Sequence, residues 1–259
     1  MGYFIINYEI MGENMKVTNK AWVYSNKQEQ TQINKMANDL NITKTSAKLL
    51  LNRGIYDIND AKKFLAPKLE DLYNPFRLKD MEKAVKRIRY AIDKREAVWI
   101  YGDYDVDGIA GISLLLRFFN SLKFPVNYYI PDRSEEGYGI NKAAIKQIAD
   151  MGGKLLITVD CGITSIDEVA YGNELGIDTI ITDHHHCHGT LPSAYAIVNP
   201  KQPDCQYDFD ELCGTGVAFK LIQALMSPGQ FVKTADDYID LVAIATVADI
   251  VSLTKENRI

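Results

Sequence analysis

The sequence predicts an α/β protein built on a doubly wound, mainly parallel sheet, preceded by a small helical N-terminal region. Three observations carry this. From residue 97 onward, short apolar runs alternate with helical segments. The runs are apolar throughout, as in strands covered on both faces. Acidic side chains stand just after several of them, where open parallel sheets bind ligands.

The opening "MGYFIINYEIMGENMK" starts apolar but lacks a basic leader segment and a cleavage site. It reads as a disordered leader over residues 1–20, or as the product of an early start codon, not as a signal peptide. Residues 21–95 read as helices. "TKTSAKLLLNRG" offers a Thr cap, an apolar run and a terminating Gly54, and "DINDAKKFL" offers a second cap before a helix that stops near Pro67. "LKDMEKAVKRIRYAIDKRE" spaces Met81, Val85, Ile88 and Ile92 along one helical face. Its basic face, with Lys83, Lys86, Arg87 and Arg89, reads as solvated surface.

Residues 96–259 carry the sheet. "AVWIY", "VNYYI", "KLLITVD", "DTIITD" and "AYAIVN" are the strands, and "GIAGISLLLRFFNSL", "NKAAIKQIADM" and "TSIDEVAYGNELG" are helices between them. After Pro200, a loop rich in Pro, Asp and Cys leads to the helix "GTGVAFKLIQALM" and then to "TADDYIDLVAIATVADIVSL", with no evident closing element beyond.

Composition narrows the function. No apolar run approaches the roughly 18 residues of a membrane span. The four cysteines are widely spaced in a sizeable chain, which suits reduced thiols in the cytoplasm rather than a disulfide framework. A net charge of −5 does not suit a free-standing nucleic-acid binder, and the excess acid suits metal ligands.

The strand ends carry the chemistry. Asp103, Asp105 and Asp107 follow the first run, Asp160 the third, and Asp183 the fourth, with His184 and His185 next to it. Asp249 lies where the last apolar segment breaks. All four histidines of the chain fall between His184 and His188. Taken singly, each Asp also reads as a cap or turn residue. A calcium loop at "DYDVDG" fails because Leu114 stands where its closing Glu belongs. A zinc site fails because adjacent side chains cannot all converge on one ion. Several carboxylates with one or two imidazoles match two hard divalent ions, Mn²⁺ before Mg²⁺ because of the nitrogen ligand. Such a pair activates water and clamps a phosphoryl group. Imidazole is then needed at one place, as a ligand and as a phosphate contact, and His186 and His188 are bystanders.

"DYDVDG", "VDCG", "DHH" and "ATVADIVSLTKENR" resemble, in order and spacing, the four motifs of the DHH phosphoesterase family. "PDRSEEGYGIN", "CGTGVAFKLIQAL" and the stretch from "AKLLLNRG" to "KAVKRI" extend the resemblance, from about Ala21 onward, to its single-strand-specific DNA exonucleases. The resemblance implies that Asp105 and Asp107 each bind a metal, that Asp160 bridges the two, and that His184 and Asp249 complete one shell. It implies that His185 contacts the scissile phosphate, that Asp183 orients an imidazole from behind, and that Asp103 is a supporting acid. Many family members carry a His where this chain has Tyr101, so one ion is expected to keep an extra water. "CGTG" reads either as a phosphate seat at a helix N-terminus, through Gly214 and Gly216, or as close backbone packing. Arg133 reads as a phosphate contact or as a solvated loop residue.

The implied activity is two-metal hydrolysis of single-stranded DNA, 5′ to 3′, in repair and recombination, with single-stranded DNA and other repair proteins as partners. Alternatives are a phosphodiesterase of short oligonucleotides or cyclic dinucleotides, and a non-catalytic scaffold. The exonucleases continue into a second domain and an OB-type domain that grip the strand; these are expected to be absent from a chain that stops after the fourth motif.

Overall fold

The computed structural model describes residues 3–11, 14–23 and 28–259. Strands β1 (Tyr3–Met11) and β2 (Asn14–Val23) pair antiparallel across most of the expected leader. Residues 1, 2, 12 and 13 of that leader lie outside the described residues. The chain divides into two compact units, Met1–Lys68 and Leu69–Ile259.

In the first unit, α1 (Gln30–Leu40), α2 (Lys44–Asn52) and α3 (Ile58–Leu65) close a small core around Met36, Ala47, Leu50, Leu51 and Ala61. The expected caps are in place. Thr43 accepts the Ser46 N–H at 3.1 Å, and Asp57 accepts the N–H groups of Asn59 and Asp60 at 2.7 and 3.1 Å. Gly54 ends α2 in the left-handed region, at φ +79, where a side chain would be strained. Ala66 leaves the helical region just before Pro67, as the residue ahead of a proline tends to.

In the second unit, five parallel strands run in the order β4 (Asn127–Tyr129), β3 (Val98–Gly102), β5 (Leu155–Val159), β6 (Asp178–Thr182), β7 (Ala196–Val198). The strands match the five apolar runs. The pleat sends Ile100, Ile157, Val159, Ile180 and Val198 to one face, where α4 (Met81–Lys94), α5 (Val106–Ser121) and α8 (Gly214–Leu225) cover them. Trp99, Tyr101, Leu156, Ile181 and Ile197 go to the other face, under α6 (Lys142–Asp150) and α7 (Ile166–Glu174). Coverage on both faces explains why β3, β5, β6 and β7 are almost continuously apolar, while edge strand β4 is largely exposed. Two further helices, α9 (Pro228–Thr234) and α10 (Asp236–Ala248), follow α8. All four cysteines are free, and among the described residues no helix is long and apolar enough to cross a membrane.

The compact unit begins earlier than the boundary at 95/96 read from the sequence. The reason is α4, whose face of Met81, Ala84, Val85, Ile88 and Ala91 is buried in the sheet's own core. Arg87 on that helix is buried rather than solvated. Its guanidinium donates to Asp178 at 2.6 Å, Glu96 at 2.7 Å and the Lys154 carbonyl at 3.3 Å, tying α4 to the amino edge of the sheet.

A closing element follows α10 that the sequence pattern did not reveal. The short 3₁₀ turn Lys255–Arg258 tucks Glu256 into the core. Glu256 accepts from Lys220 Nζ at 2.9 Å and the Tyr73 N–H at 2.6 Å, and also from the Tyr207 hydroxyl; Lys220 donates to the Tyr73 carbonyl at 2.7 Å. Burial pulls the Lys220 ammonium below its ordinary pKa, against the pull of Glu256. Glu256→Ala would leave that ammonium buried without its counter-charge. The expected loss is about 3–5 kcal/mol of stability, read by urea denaturation.

Candidate metal centre

Strand β3 has β4 on one side and β5 on the other, so the chain reverses direction across the sheet between β3 and β5. The crevice outside the carboxyl ends of such a pair is where doubly wound sheets bind ligands. The acidic residues converge there. Asp103 leaves β3 buried, and Asp105 caps α5 by accepting the Gly108 N–H at 3.0 Å. Asp107 sits in the first turn of α5, where the helix dipole favours a carboxylate. Asp160 leaves β5 with φ +59, an uncommon conformation for a residue with a side chain. From α10's C-terminus, Asp249 reaches the same crevice.

His184 Nε2 stands 3.2 Å from Asp160, 3.6 Å from Asp249 and 3.9 Å from Asp107. Behind it, Asp183 organises the loop. One of its oxygens accepts the N–H groups of His184 and His185 at 2.7 and 3.0 Å and His185 Nδ1 at 2.7 Å; the other accepts the Ile163 N–H at 3.0 Å. The His185 ring is thereby held with Nε2 free of Asp183, and its side chain stays 44% exposed.

The electrostatics show what the crevice lacks. Burial, then repulsion from Asp107, Asp105, Asp183 and Asp249, pushes Asp160 up to about 11. Asp249 and Asp103 are also raised, each chiefly by burial. Burial lowers His184, leaving a neutral imidazole, which is the ligating form. For Asp183, burial raises the pKa, but the bonds from His185 and its neighbours outweigh it and keep the carboxylate ionised. His185 is raised by its bond to Asp183. Both His184 ring nitrogens, one Asp160 oxygen and one Asp103 oxygen are buried without a hydrogen-bond partner. Orphaned acceptors beside crowded carboxylates are costly unless a cation completes them.

Three overlapping sets of donors can do so: Asp107, His184 and Asp249; Asp103, Asp105 and Asp160; and Asp160, His184 and His185. Within each set the donor atoms lie within 4.8 Å of one another. Every acid and both imidazoles expected from the sequence are in this crevice. His186 and His188 are not; both are exposed, their rings 6.3 Å apart.

Other expectations fared differently. Gly214 and Gly216 do not present free N–H groups for a phosphate. The Gly214 and Thr215 N–H groups donate to the Asp107 carboxylate at 2.6 and 2.7 Å, and the Gly216 N–H donates to Cys213 Sγ at 3.3 Å. The anion at the α8 N-terminus is thus internal, and the close-packing reading applies: a Cβ on Gly214 would stand 2.5 Å from the Asp160 Cβ. Arg133 sits over the Tyr104 ring, 5.4 Å from its centroid. Tyr101 is fully buried, stacked on Tyr129, with its hydroxyl donating to the Gly139 carbonyl at 2.9 Å.

Several contributors escaped the sequence reading. Tyr138 sets its hydroxyl 3.4 Å from His185 and 3.3 Å from the Asp160 carbonyl. Asn199, at the end of β7, donates to the His185 carbonyl at 3.0 Å. Gly108 lets α5 start against β3: a Cβ there would lie 2.3 Å from the Asp103 carbonyl oxygen. Its signal was present in "DVDG", where the Gly follows the second ligand-type Asp. Gly108→Ala is expected to cost about 1–3 kcal/mol by overpacking and to weaken Mn²⁺ binding with it, measured by calorimetric titration.

Fold and crevice define the class: an α/β domain holding a carboxylate–imidazole centre for hard divalent cations at its switch point. Residues 97–246 match the model of the DHH family, N-terminal domain, and the chain belongs to the DHH family. It is 45% identical over 231 residues to the single-stranded-DNA-specific exonuclease RecJ of Bacillus subtilis (strain 168), covering 89% of this chain and 29% of that one. It resembles a crystal structure of exonuclease RecJ bound to manganese, with a TM-score of 0.63 and 34% identity over 74% of this chain and 47% of that one. It also resembles RecJ of Thermus thermophilus in complex with Mn²⁺, with a TM-score of 0.71 and 28% identity, covering 89% of this chain and 32% of that one. The chain therefore spans less than half the length of these relatives.

Proposed function

We propose that this chain is the catalytic portion of a RecJ-like exonuclease that hydrolyses phosphodiester bonds of single-stranded DNA from the 5′ end with two divalent metal ions, Mn²⁺ before Mg²⁺. The observation that carries the proposal is the set of buried, unpartnered donor atoms on Asp103, Asp160 and His184 at the switch point. The similar structures were solved with Mn²⁺, which matches a donor set of carboxylates and neutral imidazole. The free cysteines and the lack of a membrane-spanning helix among the described residues suit a cytoplasmic enzyme.

In this reading Asp105, Asp107, Asp160, His184 and Asp249 hold the ions. Asp160 is shared, because it stands in one donor set with Asp103 and Asp105 and in another with His184. Bound divalent ions supply an activated water and offset the charge of the phosphoryl oxygens. The protein does the positioning. Asp183 accepts the Nδ1–H of His185, so the imidazole turns Nε2 toward the substrate. From there Nε2 can contact a non-bridging phosphate oxygen. The Gly214 and Thr215 N–H groups fix the rotamer of Asp107, so that ligand is pre-organised before any ion arrives.

Digestion of 5′-labelled and 3′-labelled single strands, beside duplex and dinucleotide, tests the proposal. Metal-dependent release of mononucleotides from the 5′ end of single strands alone is expected. Cleavage confined to short oligonucleotides or cyclic dinucleotides would replace it with the phosphodiesterase reading.

A further inference from the structure

Helix α4 leads directly into β3, so its C-terminal end lies at the amino edge of the sheet and its N-terminal end lies at the carboxyl edge. Contacts fix this orientation. Arg87, midway along α4, reaches Asp178 at the start of β6, whereas Asp80, just before the helix begins, accepts the N–H of Ile197 in the middle of β7 at 3.1 Å. The carboxyl edge is also the edge of the metal centre. A cavity of about 550 Å³ opens there around the α4 N-terminus. Phe76, half exposed, lines it together with Arg77, Lys79, Lys83 and Lys86.

Acids share the wall: Asp204 lines it, and Arg77 pairs with Asp208, but among the described residues Lys79 and Lys83 form no salt bridge. Asp80 has turned a carboxylate oxygen inward to β7, and Glu82 meets Lys86 in a pair whose side chains are both more than 70% exposed, which contributes little and opens readily. Lys79 donates only to the Pro203 carbonyl, at 3.0 Å. Lys83 lies over the Tyr195 ring, 5.0 Å from its centroid. The other three basic residues of the helix are elsewhere: Arg87 is buried, Arg89 donates to the Leu225 carbonyl at 3.2 Å, and Lys94, at the C-terminal end, lies 6.0 Å from the Tyr90 ring centroid.

A continuous stretch of chain joins the cavity to the metal centre. Asn199 donates to the His185 carbonyl and accepts the Lys201 N–H at 2.8 Å, and two residues on, the Pro203 carbonyl accepts from Lys79. From β5 to β7 the sheet advances two strands, about 10 Å. An exposed aromatic ring among cations, at the same sheet edge as a centre read as cleaving phosphodiesters, is the chemistry that takes an unpaired base and its backbone.

We propose that this cavity is a second binding site for the single strand, stacking one base on Phe76 and holding backbone phosphates on Lys79, Lys83 and Lys86. The site rests on the reading of the metal centre as a nuclease and extends it: the strand is held beyond the scissile bond, along the carboxyl edge past Lys201.

Phe76→Ala and Lys83→Ala test this in the whole chain, with Mn²⁺ present. For a long single strand, Phe76→Ala should raise KM about tenfold. Lys83→Ala should reduce the salt slope of binding by about 0.7. Hydrolysis of a dinucleotide, too short to reach the cavity, should be unchanged in both, which also shows that both variants fold. Unchanged KM and salt slope on long strands, with normal dinucleotide hydrolysis, would overturn the cavity site and leave the nuclease reading standing. If the parent chain cleaves no nucleotide at all, the nuclease reading falls. Fluorescence anisotropy of a labelled single strand then decides the cavity alone, by the same two differences between parent and variants.

Discussion

Asp160→Asn is expected to abolish hydrolysis while leaving the metal-free protein at least as stable as the parent. The two effects have one cause. Asp160 is buried among four other carboxylates, and that surrounding pushes its pKa up to about 11. Without a cation, the fold must bind a proton there that the unfolded chain at neutral pH does not, which is a cost to the fold. Asn has the same shape and needs no proton, so the substitution removes the cost. In the proposed two-metal centre, the same carboxylate is the shared ligand, standing in one donor set with Asp103 and Asp105 and in another with His184 and His185. Losing it removes several kcal/mol of charge stabilisation in the transition state, about a thousandfold in rate or more. Asp103→Asn should cost far less, because Asp103 stands in only one donor set. Melting curves in a chelator and rates under saturating Mn²⁺ measure both sides. Near-normal cleavage by Asp160→Asn would remove it from the bridging position.

The stabilisation produced by Mn²⁺ is expected to grow as pH rises from weakly acidic to weakly alkaline. Asp160, Asp249 and Asp103 have folded-state pKa values above their ordinary 3.8. Between 3.8 and the folded value, about 11 for Asp160, the native metal-free protein binds more protons than the unfolded chain. Its stability therefore falls as pH rises through that window. Mn²⁺ displaces those protons, so it binds better at higher pH and restores what is lost. His184 has the opposite sign: its folded pKa is below the ordinary 6.5, so acid below that value protonates the unfolded chain preferentially and weakens both fold and metal binding. Melting temperatures with and without Mn²⁺, across a pH series, should diverge toward alkaline pH. A constant difference would mean that the ions do not take the place of protons on these carboxylates.

The sheet was legible because burial on both faces leaves the strands almost wholly apolar, and the centre was legible because topology puts ligands at strand ends. Asp103, Asp105, Asp107, Asp160, Asp183 and the two imidazoles could each be placed by their position just past an apolar run. Asp249 was found only as a break in an apolar segment; that it reaches the crevice depends on how α10 packs. The features that stayed hidden depend on contacts between distant segments. Glu256 and Lys220 are separated by 36 residues and carry no periodic signal. Gly214 looked equally suited to a phosphate and to a close approach; the Asp107 carboxylate, 107 residues away, decides for the second. The basic face of α4 looked uniform, yet its turn on the sheet buries Arg87 and leaves Lys83 and Lys86 outside.

The central claim is that the crevice binds two cations, and the anomalous scattering of crystals soaked in Mn²⁺, measured at the manganese absorption edge, tests it most directly. Two peaks are predicted at the carboxyl ends of β3 and β5. One should be ligated by His184 with Asp107 and Asp249, the other by Asp105, with Asp160 between them. A single peak, or an ion held by Cys187 and its neighbouring histidines, would contradict the account.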